Sequence, residues 1–148
     1  MITDYADVMA PTTQRSTVQG GAVRDALRSA DGFRSAQDIH ASLRSQGASV
    51  GLSTVYRHLQ ALADQGVADV IQTPEGESTY RFCGESTKTH HHHLVCRHCG
   101  HAEEVEARAV ERWTTEVAGR FGFVDVDHTV EIFGTCASCA KSRRGKRR

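Results

Sequence analysis

Apolar positions in the first half of the chain recur at helical spacing. In RSTVQGGAVRDALRSA, residues 15–30, Val23, Leu27 and Ala30 share one face and predict a helix, whose start is weakened by Gly20-Gly21. In SAQDIHASLRSQG, Ser35 stands as an N-cap with Asp38 three residues on, Ala36, Ile39 and Leu43 line one face, and Gly47 marks the stop. After the turn ASVGL, STVYRHLQALADQG predicts a third helix, capped by Ser53 and ended by Gly66, with Val55, Leu59, Leu62 and Ala63 inward. Its outward positions are Thr54, Tyr56, Arg57 and Gln60. VADVIQT and STYRFC are strand-like runs on either side of Pro74-Glu75-Gly76-Glu77, a hairpin signal. Many three-helix cores share this helical pattern. The hairpin tips the reading toward a winged helix-turn-helix whose third helix enters a DNA major groove through Ser53, Thr54, Tyr56, Arg57 and Gln60.

From Thr89 onward the pattern changes. HLVCRHCGHAEEVE reads as a strand, a knuckle turn and a strand, ARAVERWTTEVAGRFG as an amphipathic helix, and VDVDHTVEIFGTC as one long strand. The expected fold class is α+β: a winged helix-turn-helix domain over residues 1–83, a hinge at 84–89, a second, α/β domain over 90–140, and a basic tail at 141–148. No repeat of solenoid period is present.

Composition narrows the function. The 148 residues are 39% hydrophobic and 24% charged, which is ordinary for a globular chain. No stretch approaches the roughly 20 apolar residues of a membrane span, and MITDYADVMAPTTQ has neither a basic start nor an apolar run, so a cytoplasmic location is expected. In that reducing compartment five cysteines between residues 83 and 139 suit metal or redox chemistry better than disulfides. Lys and Arg total 18, as do Asp and Glu. Six of the positive charges (Lys141, Arg143, Arg144, Lys146, Arg147, Arg148) lie in the tail, so residues 1–140 hold 12 positive against 18 negative, a net of −6. Contact with DNA must therefore come from a local patch or from bound cations.

Cys96-Arg97-His98-Cys99 and Cys136-Ala137-Ser138-Cys139 are two Cys-x-x-Cys knuckles with 36 residues between them. Four thiolates on two such turns suit a closed tetrahedral zinc site. A thioredoxin-type redox motif needs one such pair beside a βαβ unit, and here there are two. Zinc held this way contributes its binding free energy, about 10–16 kcal/mol, to folding. His98 and His101 lie close by, but four cysteines already fill the shell.

Residues 90–93 are four consecutive histidines. They lie mid-chain, which argues against a purification tag, and leaves a solvated loop as the alternative to metal ligands. In extended form, side chains alternate between faces, so His91 and His93 point one way and His90 and His92 the other. One run can then feed two metal sites. Cys83 ends the hairpin and Asp69 lies in its other strand, where both can join His91 and His93. His128 alternates in step with Val124, Val126, Val130 and Ile132 on an apolar face, where a lone histidine is usually a core residue; neighbouring histidines alter that balance. A carboxylate for this second set is available from Glu103, Glu104, Glu106 or Glu111. A thiolate in the shell favours zinc over iron or manganese, and Cys83 is that thiolate. A catalytic zinc keeps an open position and a nearby base, whereas each of these sites has four protein ligands, so an enzyme is not expected.

The winged helix containing STVYRHLQALADQG, the hinge, HHHHLVCRHCG and the closing HTVEIFGTCASC together resemble the ferric uptake regulator family, most of all its zinc-sensing branch, over roughly residues 15–140. The resemblance implies a homodimer, joined through the second domain, that binds a palindromic operator on double-stranded DNA when loaded with zinc and represses zinc-uptake genes. It further implies up to three Zn2+ per chain. Cys96, Cys99, Cys136 and Cys139 would form the structural site; Asp69, Cys83, His91 and His93 the regulatory site at the hinge; and His90, His92, Glu111 and His128 an additional site, which selects Glu111 among the four carboxylates. Tyr56 and Arg57 match the family's recognition-helix contacts, Arg57 being suited to a guanine edge or a phosphate. Two features depart from the family: Gly20-Gly21 interrupts a helix that should be continuous, and the basic SRRGKRR is outside the common core. Such a tail either adds salt-sensitive DNA affinity or is simply solvated. A DNA-binding protein with structural zinc only, its histidines a solvated loop, is the rival reading.

Overall fold

The structure, a computed structural model, describes residues 10–84 and 91–146, with side chains from residue 17 onward. It divides into two compact units, Met1–Ala30 with Arg34–Ser86, and Asp31–Phe33 with Thr87–Arg148. No helix among the described residues is long and apolar enough to cross a membrane.

In the first unit, α1 (Ala10–Ser29) runs without a break through Gly20-Gly21, against the expected interruption. Glycine costs about 1 kcal/mol relative to alanine inside a helix, but here it answers a packing need. A Cβ on Gly20 would lie 3.0 Å from Cε1 of His58, so any side chain there would require the imidazole to give way by a few tenths of an ångström. Helix α2 (Ala36–Ser45) forms as expected. The Ser35 hydroxyl accepts the Asp38 N–H at 3.1 Å, the Asp38 carboxylate accepts the Ser35 N–H at 3.1 Å, and Ala36, Ile39 and Leu43 are buried. Helix α3 (Leu52–Asp64) buries Val55, Leu59 and Leu62, with Ala63 only partly buried. Its N-cap is Gly51 and not the expected Ser53, which lies exposed in the first turn. The chain leaves through Gly66 at φ +71°, a left-handed position that glycine adopts without strain.

Strands β1 (Arg34–Ser35), β2 (Ala68–Gln72) and β3 (Ser78–Phe82) form an antiparallel sheet in the order β1-β3-β2. The β2–β3 hairpin is the expected wing; β1 is too short for sequence periodicity to reveal. Val23, Leu27, Ile39, Val55 and Leu59 are fully buried or nearly so at the centre of this unit. Each contributes about 1.5–3 kcal/mol by removal from water.

The second unit is built on β4 (His92–Cys96), antiparallel to β5 (Ala102–Val105) and parallel to β6 (Glu131–Gly134), in the order β5-β4-β6. Helix α4 (Arg108–Phe121) connects β5 toward β6 and ends at Gly122, φ +72°. The long strand expected over VDVDHTVEIFGTC is confined to β6: residues 123–130 are irregular, with Asp125 at φ +53°. A strand needs a ladder partner for its backbone groups, and among the described residues only Glu131–Gly134 finds one, along β4. A helix that periodicity did not reveal, α5 (Ala137–Gly145), starts inside the second knuckle with Cys136 as its N-cap.

Candidate metal centres

Strand pairing explains how two knuckles 36 residues apart in sequence come together. Cys96 ends β4 opposite Gly134, which ends the parallel β6, so both Cys-x-x-Cys turns leave the sheet at the same end. The Cys96 N–H donates to the His101 carbonyl at 2.8 Å and the Gly100 N–H to the Cys96 carbonyl at 2.9 Å, closing the first turn over Gly100 at φ +74°. The Arg97 N–H reaches the Gly134 carbonyl at 3.0 Å and its guanidinium the Phe133 carbonyl at 2.9 Å, fastening the turn to β6. The sulfurs of Cys96, Cys99, Cys136 and Cys139 then all lie within 4.8 Å of one another.

The electrostatics of this cluster ask for a cation. Burial pushes the Cys96 thiol up, but the backbone N–H groups of Cys136, Cys99 and His98 outweigh it and bring it down to about 5. Cys139 moves the opposite way, to about 12, because the sulfurs of Cys136 and Cys99 crowd it. Ionisation is thus favoured at Cys96 and opposed at Cys139, and a positive ion shared among the four sulfurs would relieve that opposition. His98 and His101 are engaged elsewhere: His98 Nε2 lies 3.2 Å from Thr135 Oγ1 and 2.9 Å from Arg143 Nη1, and His101 Nε2 lies 2.9 Å from Glu103 Oε1.

A second cluster forms on one face of β4. His92, only 2% exposed, places Nε2 2.9 Å from Glu111 Oε1, and His128 Nε2 lies 3.1 Å from the same oxygen. The two imidazole rings are 5.3 Å apart. Of the four carboxylates open to sequence reasoning, Glu111 in the first turn of α4 meets His92 and His128; Glu103 meets His101, Glu106 meets Arg108 at 3.2 Å, and Glu104 stands opposite His93 in the β4–β5 register. His128 reaches this cluster from an irregular segment and not from a strand face. His90 lies outside the described residues.

On the other face of β4, His91 and His93 stand edge to face with centroids 4.8 Å apart, as alternation requires. The edge of Phe33 meets His93 at 5.0 Å, and the Phe33 N–H donates to the Gly100 carbonyl at 2.8 Å. This anchoring by Phe33 had no sequence signal beyond the Asp31-Gly32 turn dipeptide. In the first unit, the Asp69 N–H donates to Cys83 Sγ at 3.1 Å across the β2–β3 hairpin. Burial first, and then the Asp69 carboxylate, push the Cys83 thiol up to about 12.

On α3, Ser53, Tyr56, Arg57 and Gln60 are exposed and Thr54 is half-buried, so the expected outward face is largely free. Gln60 Nε2 donates to Asp64 Oδ1 at 2.9 Å.

Known proteins resemble the chain over nearly its whole length. The ferric uptake regulator family matches residues 12–133. A zinc uptake regulation protein of Mycobacterium tuberculosis is 51% identical over 125 residues, 84% of this chain and 94% of that protein. The crystal structure of FurB from M. tuberculosis, a zinc uptake regulator, is 52% identical, covers 86% of this chain and 97% of its own, and superposes with a TM-score of 0.52. A zinc uptake regulator complexed with zinc and DNA is 27% identical, with 89% and 94% coverage and a TM-score of 0.64. With its winged helix, its paired knuckles and these matches, the chain belongs to the ferric uptake regulator family.

Proposed function

We propose that the protein is a zinc-responsive transcriptional repressor, and not an enzyme, that binds palindromic operator DNA as a zinc-loaded homodimer in the cytoplasm and represses zinc-uptake genes. The observation that carries this reading is the gathering of four cysteine sulfurs within 4.8 Å on a chain that also folds a winged helix. Cys96, Cys99, Cys136 and Cys139 hold a structural zinc. Asp69, Cys83, His91 and His93 form the regulatory site; His90, His92, Glu111 and His128 form the additional one, giving up to three Zn2+ per chain. Ser53, Thr54, Tyr56, Arg57 and Gln60 face the DNA.

The regulatory assignment is supported within each unit: Asp69 and Cys83 are already joined by a hydrogen bond, and the rings of His91, just before β4, and His93 lie 4.8 Å apart. Cys83 supplies the soft sulfur that favours zinc over iron. By joining Asp69 and Cys83 to His91 and His93, zinc selects one spacing of the paired winged helices. It can do so only to the extent that it binds that arrangement more tightly than the others.

The homodimer is supported by apolar surface the single chain leaves uncovered. Trp113 is 63% exposed, Phe121 67%, Phe123 70% and Val124 83%, on α4 and the segment after it. Such a patch marks an association surface.

The test follows zinc per chain as free zinc is stepped down with graded chelators, with DNA binding read in the same samples. One zinc that stays under native conditions, together with one or two exchangeable zincs whose loss releases DNA, supports the reading. A single zinc, with DNA binding indifferent to chelation, overturns it.

A further inference from the structure

Helix α5 grows directly out of the four-cysteine cluster: Cys136 is its N-cap and Cys139 lies in its first turn. The arm it begins is the most basic stretch of the chain. Lys141, Arg143, Arg144 and Lys146 are exposed, Arg147 and Arg148 follow in sequence, and no acidic residue interrupts them. Among the described residues, no ion pair holds Lys141, Arg143, Arg144 or Lys146. This is notable because acidic groups are plentiful nearby in sequence: residues 91–140 carry eight Asp and Glu against four Arg. Among the cations of the described residues 141–146, Arg143 has a contact at the root of the arm, where its Nη1 lies 2.9 Å from His98 Nε2 beside the knuckle.

The chemistry of the arm selects its partner. The helix ASCAKSRRG has no large apolar side chain, so it lacks the buried face by which an amphipathic helix enters a lipid interface. Four of the six cations are arginines, whose planar forks match phosphate oxygens. The remaining 140 residues carry a net charge of −6, which opposes approach to a polyanion. We propose that α5 and the residues after it form a DNA arm that contacts backbone phosphates without reading sequence, adding a salt-sensitive share of affinity. This rests on the DNA-binding function proposed above and assigns a second DNA-contacting surface outside the winged helix.

The experiment uses the full zinc-loaded protein and a DNA duplex of unrelated sequence, with affinity measured from about 50 to 200 mM salt. One variant combines Lys141→Gln, Arg144→Gln, Lys146→Gln, Arg147→Gln and Arg148→Gln, and keeps Arg143 on His98; a second adds Arg143→Gln. Zinc per chain and dimer mass, measured on both, establish that the cluster and assembly are intact. The expected result is a fall of at least about 2 in the slope of log affinity against log salt, and a loss of about tenfold or more at 100 mM. An unchanged slope in the first variant overturns the arm, as does a loss of binding to phosphatidylserine vesicles with the DNA slope preserved. Failure of the wild-type protein to bind DNA at any zinc level would instead sink the repressor reading itself.

Discussion

The backbone N–H of Cys136 donates to the sulfur of Cys96 at 3.3 Å, between residues 40 apart in sequence. That bond ties the root of α5 to the end of β4, and the zinc proposed there reinforces it. Cys96→Ala is expected to abolish the tightly held zinc and to unfold or monomerise the protein, since structural zinc contributes about 10–16 kcal/mol to folding. Metal analysis and sedimentation of the purified variant decide it; a folded dimer with its full zinc complement would contradict the structural role.

Cys83 is expected to behave differently. Cys83→Ala should keep the fold and the tight zinc but lose one exchangeable zinc and lower zinc-dependent DNA affinity by about tenfold or more, since loss of even an outer-shell partner of a metal ligand costs about 10–100-fold in metal affinity. The comparison of the two cysteine variants is the informative one. Equal damage from both would remove the division between structural and regulatory sites.

Glu111 is the shared partner of His92 and His128. Glu111→Gln is close to isosteric but removes the negative charge, so it should weaken one zinc by about 10–100-fold and leave the four-cysteine zinc untouched. Titration of zinc into partially stripped protein, followed by calorimetry, would show two affinity classes in the wild type. An unaltered isotherm in the variant would make the cluster a structural hydrogen-bonded group.

Arg57 projects from the exposed face of α3. Arg57→Ala should cost about 1–3 kcal/mol of operator binding if it meets a guanine edge, while leaving zinc per chain unaltered. Binding assays on operator and unrelated DNA distinguish its roles: a uniform loss on both assigns Arg57 to phosphate, a loss confined to operator assigns it to a base.

Gly20 and His58 offer a test of the fold alone. His58 Nε2 is buried with no hydrogen-bond partner, and the ring fills the space that a Gly20 side chain would need. Burial, and then the charge of Arg57, hold the His58 pKa below its ordinary value, so the imidazole stays neutral near pH 7. Gly20→Val should destabilise the zinc-loaded protein by on the order of 1–3 kcal/mol through overpacking. In a His58→Ala background, Gly20→Ala should instead stabilise by about 1 kcal/mol, the helix propensity alone. The same urea-midpoint shift for Gly20→Ala in both backgrounds would show that the two residues do not constrain each other.

Much of this protein is written locally. The capping box of Ser35 and Asp38, the apolar faces of α2 and α3, the wing turn and the two Cys-x-x-Cys knuckles each depend on residues a few positions apart, where dihedral preference and periodicity act directly. The alternation of the histidines is equally local, because a strand turns each side chain to the opposite face. What only the tertiary structure decided involves partners distant in sequence. Nothing near Gly20 announces the imidazole of His58, which makes a glycine tolerable inside a continuous helix. The segment before Glu131 alternates like a strand, yet a strand exists only where another backbone pairs with it, and among the described residues the pairing with β4 begins at Glu131. Glu111 could not be separated by spacing from three other carboxylates, since the choice depends on where α4 lays its first turn against β4. Periodicity is a property of one segment, whereas pairing and close approach belong to two, and that physical difference divides what the sequence determined from what the fold had to decide.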